Sequence, residues 1–238
     1  MSGRQLVTGL NRIIRKFFGV ETCLACGHEI TCSHSFCRSC SKRLRPVPNP
    51  CQYCGQVNVS DGYVCPACLL NPPRWQKMIA PLQYRGLLRD YLIQLKYGEA
   101  LHLANSICMH SIGHFYNGET MPEVLLPVPL HRHRLIERGY NQADEIAGVW
   151  SRELKIPLDR HALLRLRHTP SQSGLSANQR EKNTLKAFSY NPTVEYRHVA
   201  IVDDIVTTGS TVNEITKTLH RQGVEFVEVW ALARVCRD

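Results

Sequence analysis

Eight cysteines in the first third of the chain fall in pairs separated by two residues, and thiolate pairs at that spacing are metal-binding chemistry. Cys23-x-x-Cys26 is followed after ten residues by Cys37-x-x-Cys40, and Cys51-x-x-Cys54 after another ten by Cys65-x-x-Cys68. The second unit repeats the first 28 positions further on, which makes it an internal repeat. Each Cys-x-x-Cys turn presents two sulfurs to one ion, and two turns complete the tetrahedral shell that zinc prefers. Both units have four cysteines, so two closed structural zinc sites are expected, without the open position that a catalytic zinc keeps for water. The competing reading is a redox pair, a motif that comes singly and beside a βαβ unit. Cys32 and His34 lie inside the first unit and could substitute as ligands; they are read as loop residues. Cys108 and Cys236 stand alone and are read as core or terminal cysteines.

A second chemistry lies in HVAIVDDIVTTGSTV, His198 to Val212. Val199 to Val202 has the composition of a buried strand, with Asp203 and Asp204 at its carboxyl end, the end where open α/β sheets bind ligands. Thr207, Thr208, Gly209, Ser210 and Thr211 then lead into a helix, whose first N–H groups suit a phosphate. Gly209 permits close backbone approach, and the four hydroxyls add donors. Two carboxylates would repel a phosphate but accept hydrogen bonds from sugar hydroxyls beside it, so a phosphorylated ribose satisfies both halves. The segment lacks the Lys of a Walker A loop. Asp and Thr serving only as turn and N-cap residues is the plainer alternative.

These residues need elements to hold them. Residues 23–68 are cysteine-rich and poor in long apolar stretches; Pro46, Pro48 and Pro50 separate the two units, and Pro72 and Pro73 close the segment. Beyond them, strands are predicted at Met78–Tyr84, Val124–Val128, Val199–Val202 and Val224–Ala233. Helices are predicted at Leu87–Lys96, Leu101–Tyr116, Gln142–Leu154 and Thr211–Arg221, with Ala143, Ile146, Ala147 and Trp150 on one face of the third. Strands alternating with helices predict an α/β fold with a mostly parallel sheet. Leu6 to Phe18 has helical spacing broken by Arg12, Arg15 and Lys16, read as a helix on the protein's own surface or, alternatively, on a membrane. The expected division is an N-terminal helix at 1–20, a double zinc ribbon at 21–71 and a larger domain at 74–238.

With 238 residues, 43% hydrophobic and 21% charged, the chain is an ordinary folded one rather than a disordered one. No apolar run reaches the roughly 20 residues of a membrane span, and polar residues break up any signal-peptide core, so a cytoplasmic protein is expected. In such a reducing compartment the eleven cysteines favour metal over disulfides. The net charge of +9 favours anionic partners. Arg38, Lys42, Arg43 and Arg45 beside the first cysteine unit, with Tyr53 and Tyr63 in the second, suit single-stranded nucleic acid; a purely structural ribbon is the other reading.

VDDIVTTGST, Val202 to Thr211, resembles the ribose-phosphate loop of type I phosphoribosyltransferases. With the four cysteine knuckles, the chain from about residue 20 to its C-terminus resembles the ComF (GntX-like) family of competence-associated proteins. The resemblance includes QLKYG (Gln94–Gly98), PVPLHRHRLIERGYNQ (Pro127–Gln142) and the series Arg167, Gln172, Leu175, Arg180, Asn183 and Phe188. It implies a type I phosphoribosyltransferase-like domain preceded by the double zinc ribbon, with phosphoribosyl diphosphate as ligand. Asp203 and Asp204 would hold the ribose hydroxyls, Thr207, Thr208, Gly209, Ser210 and Thr211 the 5-phosphate, and Arg134 and Arg138 the diphosphate. Residues 167–180 would close over it, and Mg²⁺ would arrive chelated to the diphosphate. A solvated charged face is the other reading of Arg132, Arg134 and Arg138. Two functions follow. One is a protein that binds phosphoribosyl diphosphate and handles single-stranded DNA with the DNA-uptake machinery in natural transformation. The other is an active transferase using Asp203, Asp204 and Arg138 on a base or nucleotide acceptor, for which no recognition segment is evident.

Overall fold

A computed structural model describes residues 21–30, 35–58, 62–96, 101–115, 120–166 and 187–236. The helix expected within 1–20, Cys32, His34 and the loop expected at 167–180 lie outside the described residues. The chain divides into two compact units, Met1–Leu44 and Arg45–Asp238.

In the first unit, strands β1 (Glu21–Thr22) and β2 (Glu29–Ile30) pair antiparallel around a tight turn, where Gly27 N–H donates to Cys23 O at 2.8 Å. A short helix, α1 (Arg38–Ser41), starts at Cys37, whose sulfur accepts from Cys40 N–H at 3.5 Å. The same pieces recur in the second unit. Gly55 N–H donates to Cys51 O at 2.8 Å, and α2 (Pro66–Leu70) starts after Cys65. Pro66 fits there because the first helical position needs no N–H. The sequence repeat is therefore a structural repeat of one turn and one helix, each carrying two cysteines.

The second unit also holds a parallel sheet of β3 (Lys77–Ile79), β4 (Leu82–Gln83), β5 (Val124–Pro127), β8 (His198–Val206) and β9 (Phe226–Arg234). Its order is β3-β9-β8-β5, and β4 pairs with β9 beyond β3. Met78–Tyr84, expected as one strand, is two, because Pro81 has no N–H for the ladder; its carbonyl instead accepts from Val47 N–H at 2.8 Å. Helices α3 (Gly86–Lys96), α4 (Leu101–Ser111), α6 (Gln142–Leu154) and α7 (Ser210–Arg221) stand close to their predicted ranges. The second of them ends at Ser111 and tightens into a 3₁₀ turn over Ile112–Phe115. The alternation of β8 and β9 places Val199, Ile201, Val227 and Val229 against Val212, Ile215 and Leu219 of α7. The buried Phe115, Trp150 and Trp230 form an aromatic cluster with centroids 4.5–6.3 Å apart. As predicted, Ala143, Ile146, Ala147 and Trp150 are all buried.

Three further features differ from expectation. An added helix, α5 (Arg132–Arg138), occupies the segment after β5, and a small antiparallel pair, β6 (Leu163–Arg165) with β7 (Phe188–Tyr190), flanks the sheet. Strand β8 also does not stop before the carboxylates. It runs through Asp203 and Asp204 to Val206, because β9 stays paired with it as far as Val206 after β5 has ended at Val202's partner Pro127.

Candidate functional site

Because β5 ends early, β8 carries Asp203 and Asp204 past the edge of its neighbour into a cavity of about 560 Å³. The carboxylates are held by the backbone that follows them: Asp204 N–H donates to Asp203 Oδ1 at 2.9 Å, and Ile205 N–H to Asp204 Oδ1 at 2.8 Å. Burial first, then the charge of Asp204, raises the Asp203 pKa well above its ordinary value. After Val206 the chain turns through Thr207 and Thr208 to Gly209, which caps α7 at a left-handed φ of 82°. Thr208 Oγ1 and Ser210 Oγ are 2.5 Å apart, and Ser210 N–H points to Thr208 Oγ1 at 3.4 Å. Thr207, Thr208, Gly209, Ser210 and Thr211 line a pocket of about 40 Å³ that shares Asp203 with the larger cavity. Hydroxyls, the amino end of a twelve-residue helix and two carboxylates thus converge at one strand end.

Cations enter from three other elements. Arg134 and Arg138 come from α5, and Gly139, at φ 77°, ends that helix beside them. Arg138 Nη1 donates to Oε1 of the buried Gln142 at 3.3 Å. Asn141 caps α6 through Ala143 N–H and donates from Nδ2 to Val128 O at 3.0 Å, which fixes the α5–α6 corner to the end of β5. Lys96, at the end of α3, and Arg165, at the end of β6, complete the wall. Burial and then Arg138 lower the Arg134 pKa; burial and then Arg134 lower that of Arg165, against the pull of Asp203. Crowded, partly desolvated guanidinium groups favour a polyanion among them.

Every residue expected at the sugar-phosphate site therefore lines one of two adjoining pockets. Among the further lining residues, Tyr84, Lys96, Gln142 and Arg165 had no role assigned from sequence. Lys96 lies inside the QLKYG match, which was a usable signal. Arg165 had none, since its strand is three residues long and pairs with one further along the chain.

The eight cysteines gather as expected, Cys23, Cys26, Cys37 and Cys40 in one group and Cys51, Cys54, Cys65 and Cys68 in the other. Within each group the sulfurs all lie within 4.8 Å of one another. Cys26–Cys37 and Cys54–Cys65 are both 3.8 Å apart, far from a disulfide's ~2.05 Å. Four sulfurs at ~2.3 Å from one zinc stand about 3.8 Å apart at a tetrahedron's edge, so the donor set fits zinc. Charge points the same way. Burial raises the Cys23 thiol, but backbone hydrogen bonds from Cys37, Ala25 and Cys26 outweigh it and bring the pKa to about 6. Cys51 is brought to about 7 in the same manner, with Cys65 N–H donating to its sulfur at 3.3 Å. Burial and neighbouring thiols push Cys40 up to about 12 and Cys54 to about 11. One thiolate forms readily in each group, and further ones need a dication to share their charge. Cys108 is fully buried in the core.

Comparison with known proteins places this architecture. A phosphoribosyl transferase domain model matches residues 143–236. Competence protein F of Haemophilus influenzae is 35% identical over 221 residues, covering 89% of this chain and 96% of that protein. The chain belongs to the ComF family of competence proteins. Another ComF relative, the DNA utilization protein YhgH of Escherichia coli K12, is 34% identical over 218 residues, again 89% of this chain and 96% of that one. Competence protein ComFC of Bacillus subtilis is 25% identical over 197 residues, 79% of this chain and 78% of its own length. A solved glutamine phosphoribosylpyrophosphate amidotransferase from B. subtilis overlays with TM-score 0.34 and 18% identity, over 56% of this chain and 25% of that one, too loosely for argument. In this ComF chain the domain match holds Asp203, Asp204 and the loop to Thr211. Lys96, Arg134, Arg138 and both cysteine groups lie before it.

Proposed function

We propose that this protein binds phosphoribosyl diphosphate, with Mg²⁺ carried on the diphosphate, and handles single-stranded DNA in DNA uptake, working in the cytoplasm with proteins of the uptake machinery. The observation that supports the ligand most strongly is the meeting of three chemistries across two adjoining pockets: a hydroxyl-rich helix start, a carboxylate pair and four cations. Thr207 to Thr211 take the 5-phosphate, Asp203 and Asp204 accept from the ribose hydroxyls, and Arg134 and Arg138, joined by Lys96 and Arg165, face the diphosphate. The DNA part is supported by relatives that bear the names competence protein F and DNA utilization protein, and by the +9 charge. Two zinc ions complete the cysteine groups as structural centres. The test is calorimetric titration of the zinc-loaded chain with phosphoribosyl diphosphate and Mg²⁺. Saturable binding is expected, and its loss in Asp203→Ala/Asp204→Ala. Absence of binding by the native chain, or equal binding by the variant, overturns the ligand assignment.

Turnover is a second reading, favoured by Tyr84 and Ile93, which give the same cavity an aromatic and an apolar surface for a planar acceptor. The bond from the anomeric carbon to the diphosphate would break, pyrophosphate leaving with the electron pair, and an acceptor nitrogen would form the new bond. Arg138 would stabilise the leaving group and the carboxylates the cationic ribose. Release of pyrophosphate in the presence of bases, nucleotides or single-stranded DNA, abolished by Asp204→Asn, is the expected sign. No release with any of them leaves the binding function alone.

A further inference from the structure

The second cysteine group is built into the sheet that carries the phosphate loop, through the turn between its first two ligands. Gln52 O accepts from Met78 N–H of β3 at 2.8 Å. Tyr53 O accepts from Trp75 Nε1 at 2.5 Å, and Cys54 O from Arg234 Nε of β9 at 2.7 Å. Gln56 Nε2 donates to Val235 O at 2.9 Å. Two of these partners continue to the loop. Arg234, only 5% exposed, also donates from Nη1 to Val206 O at 2.8 Å and to Thr207 O. Trp75 lies so close over Gly209 that a Cβ there would meet its ring edge at 2.9 Å. A planar guanidinium and an indole thus each touch the Cys51–Cys54 turn on one side and the Thr207–Gly209 turn on the other. Both groups are rigid, so a shift of one turn is passed to the other rather than absorbed.

We infer that Arg234, with Trp75 as a second link, is a positioning residue that couples metal occupancy of the Cys51–Cys68 centre to the geometry of the phosphate loop. The donor set of that centre fits zinc, as shown above, and a Cys-x-x-Cys turn holds its shape through the ion its two sulfurs share. Released from the metal, the Cys54 carbonyl no longer fixes the guanidinium, and the Val206 and Thr207 carbonyls lose the donor that sets the entrance to the loop. By linkage, a ligand that tightens the loop tightens the metal centre by the same factor. The reading of the loop as a phosphate site underlies the second half of this inference; the first half concerns the loop alone.

Amide hydrogen exchange on the full, zinc-loaded chain separates the two. Removal of metal by a chelator is expected to speed exchange in residues 51–56 and also in 206–212, by about tenfold in the latter, the scale of a lost charge-assisted hydrogen bond. Residues 143–150 of α6 serve as the record that the fold persists. In Arg234→Gln, chelation is expected to act on 51–56 only, and Arg234→Lys should restore part of the response. Phosphoribosyl diphosphate with Mg²⁺ is expected to slow exchange in 51–56 of the native chain but not in Arg234→Gln. Chelation that leaves 206–212 unchanged in the native chain overturns the coupling, whatever the variants do. Failure of phosphoribosyl diphosphate to protect any residue counts against the ligand assignment, and the chelation result still decides the coupling.

Discussion

At the residue scale, Asp203 sets the pH behaviour of the site. Its carboxyl is partly withdrawn from water and faces Asp204, and both effects favour the neutral form, so its pKa stands well above the ordinary 3.8. A carboxyl whose folded pKa is raised stabilises the fold at low pH, and that contribution is lost as pH rises through the raised value. Ligand binding has the opposite sign. Ribose hydroxyls donate to the ionised form, so binding draws the pKa down and releases a proton. Affinity for phosphoribosyl diphosphate should therefore rise with pH up to the raised pKa of Asp203 and level off above it, by up to ~tenfold per pH unit below that pKa. Calorimetry in buffers of different ionisation enthalpy should record the proton released. In Asp203→Asn the affinity should be weak and flat with pH, and the melting temperature of the ligand-free protein should rise at pH values where the native Asp203 is ionised. An unchanged pH profile in that variant would assign the titration to another group.

At the scale of elements, the turn from β8 into α7 depends on Gly209. Its φ of 82° is one that other residues adopt at a cost, and Trp75 fills the space of a Cβ at 2.9 Å. Gly209→Ala should destabilise the chain by about 2 kcal/mol in urea unfolding, from backbone strain and overpacking together. Ser210→Ala at the next position should cost well under half as much. Equal costs would show that the turn has room to relax. The same turn shows what could be read in advance. Val199–Val202 is continuously apolar and Gly209 stands before an amphipathic run, so the strand, the loop and the helix were all legible locally. The length of β8 was not, because its pairing from Asp203 to Val206 depends on β9 further along the chain, Asp203 with Ala231 and Val206 with Arg234. Helix α5 was hidden for another reason. Its seven residues bury none of their side chains, so no apolar period marks it, and only Gly139 after Arg138 signals its end. The site was legible where its residues are contiguous, at 203–211, and where a family motif gathers them, at Arg134 and Arg138. Lys96 was marked by the QLKYG match without a role, and Arg165 reaches the cavity only through packing.

At the scale of the whole molecule, the repeat of cysteine turns was legible in full, while its use was not. The sequence treats both units alike, yet Met1–Leu44 and Arg45–Asp238 are separate compact units, and the second cysteine group belongs with the sheet. The first group carries exposed Arg38, Lys42 and Arg43 on or beside α1. With a net charge of +9, binding to single-stranded DNA should be driven by phosphate contacts and weaken steeply with salt. Each contact contributes about 0.7 to the slope of log affinity against log salt for a single strand, so Arg38→Ala/Lys42→Ala/Arg43→Ala should lower that slope by about 2. Tyr63, 86% exposed beside the second group, tests the stacking half of the interaction. Tyr63→Ala should weaken binding by ~1–3 kcal/mol while leaving the slope as it was, because stacking releases no counterions. Fluorescence anisotropy with a labelled oligonucleotide across a salt series measures both quantities. A slope unmoved by the triple variant would take the DNA path away from the first cysteine unit and toward the cations of Arg45–Asp238. Absence of binding even at about 50 mM salt would remove DNA handling from this chain and leave the sugar-phosphate site as its function.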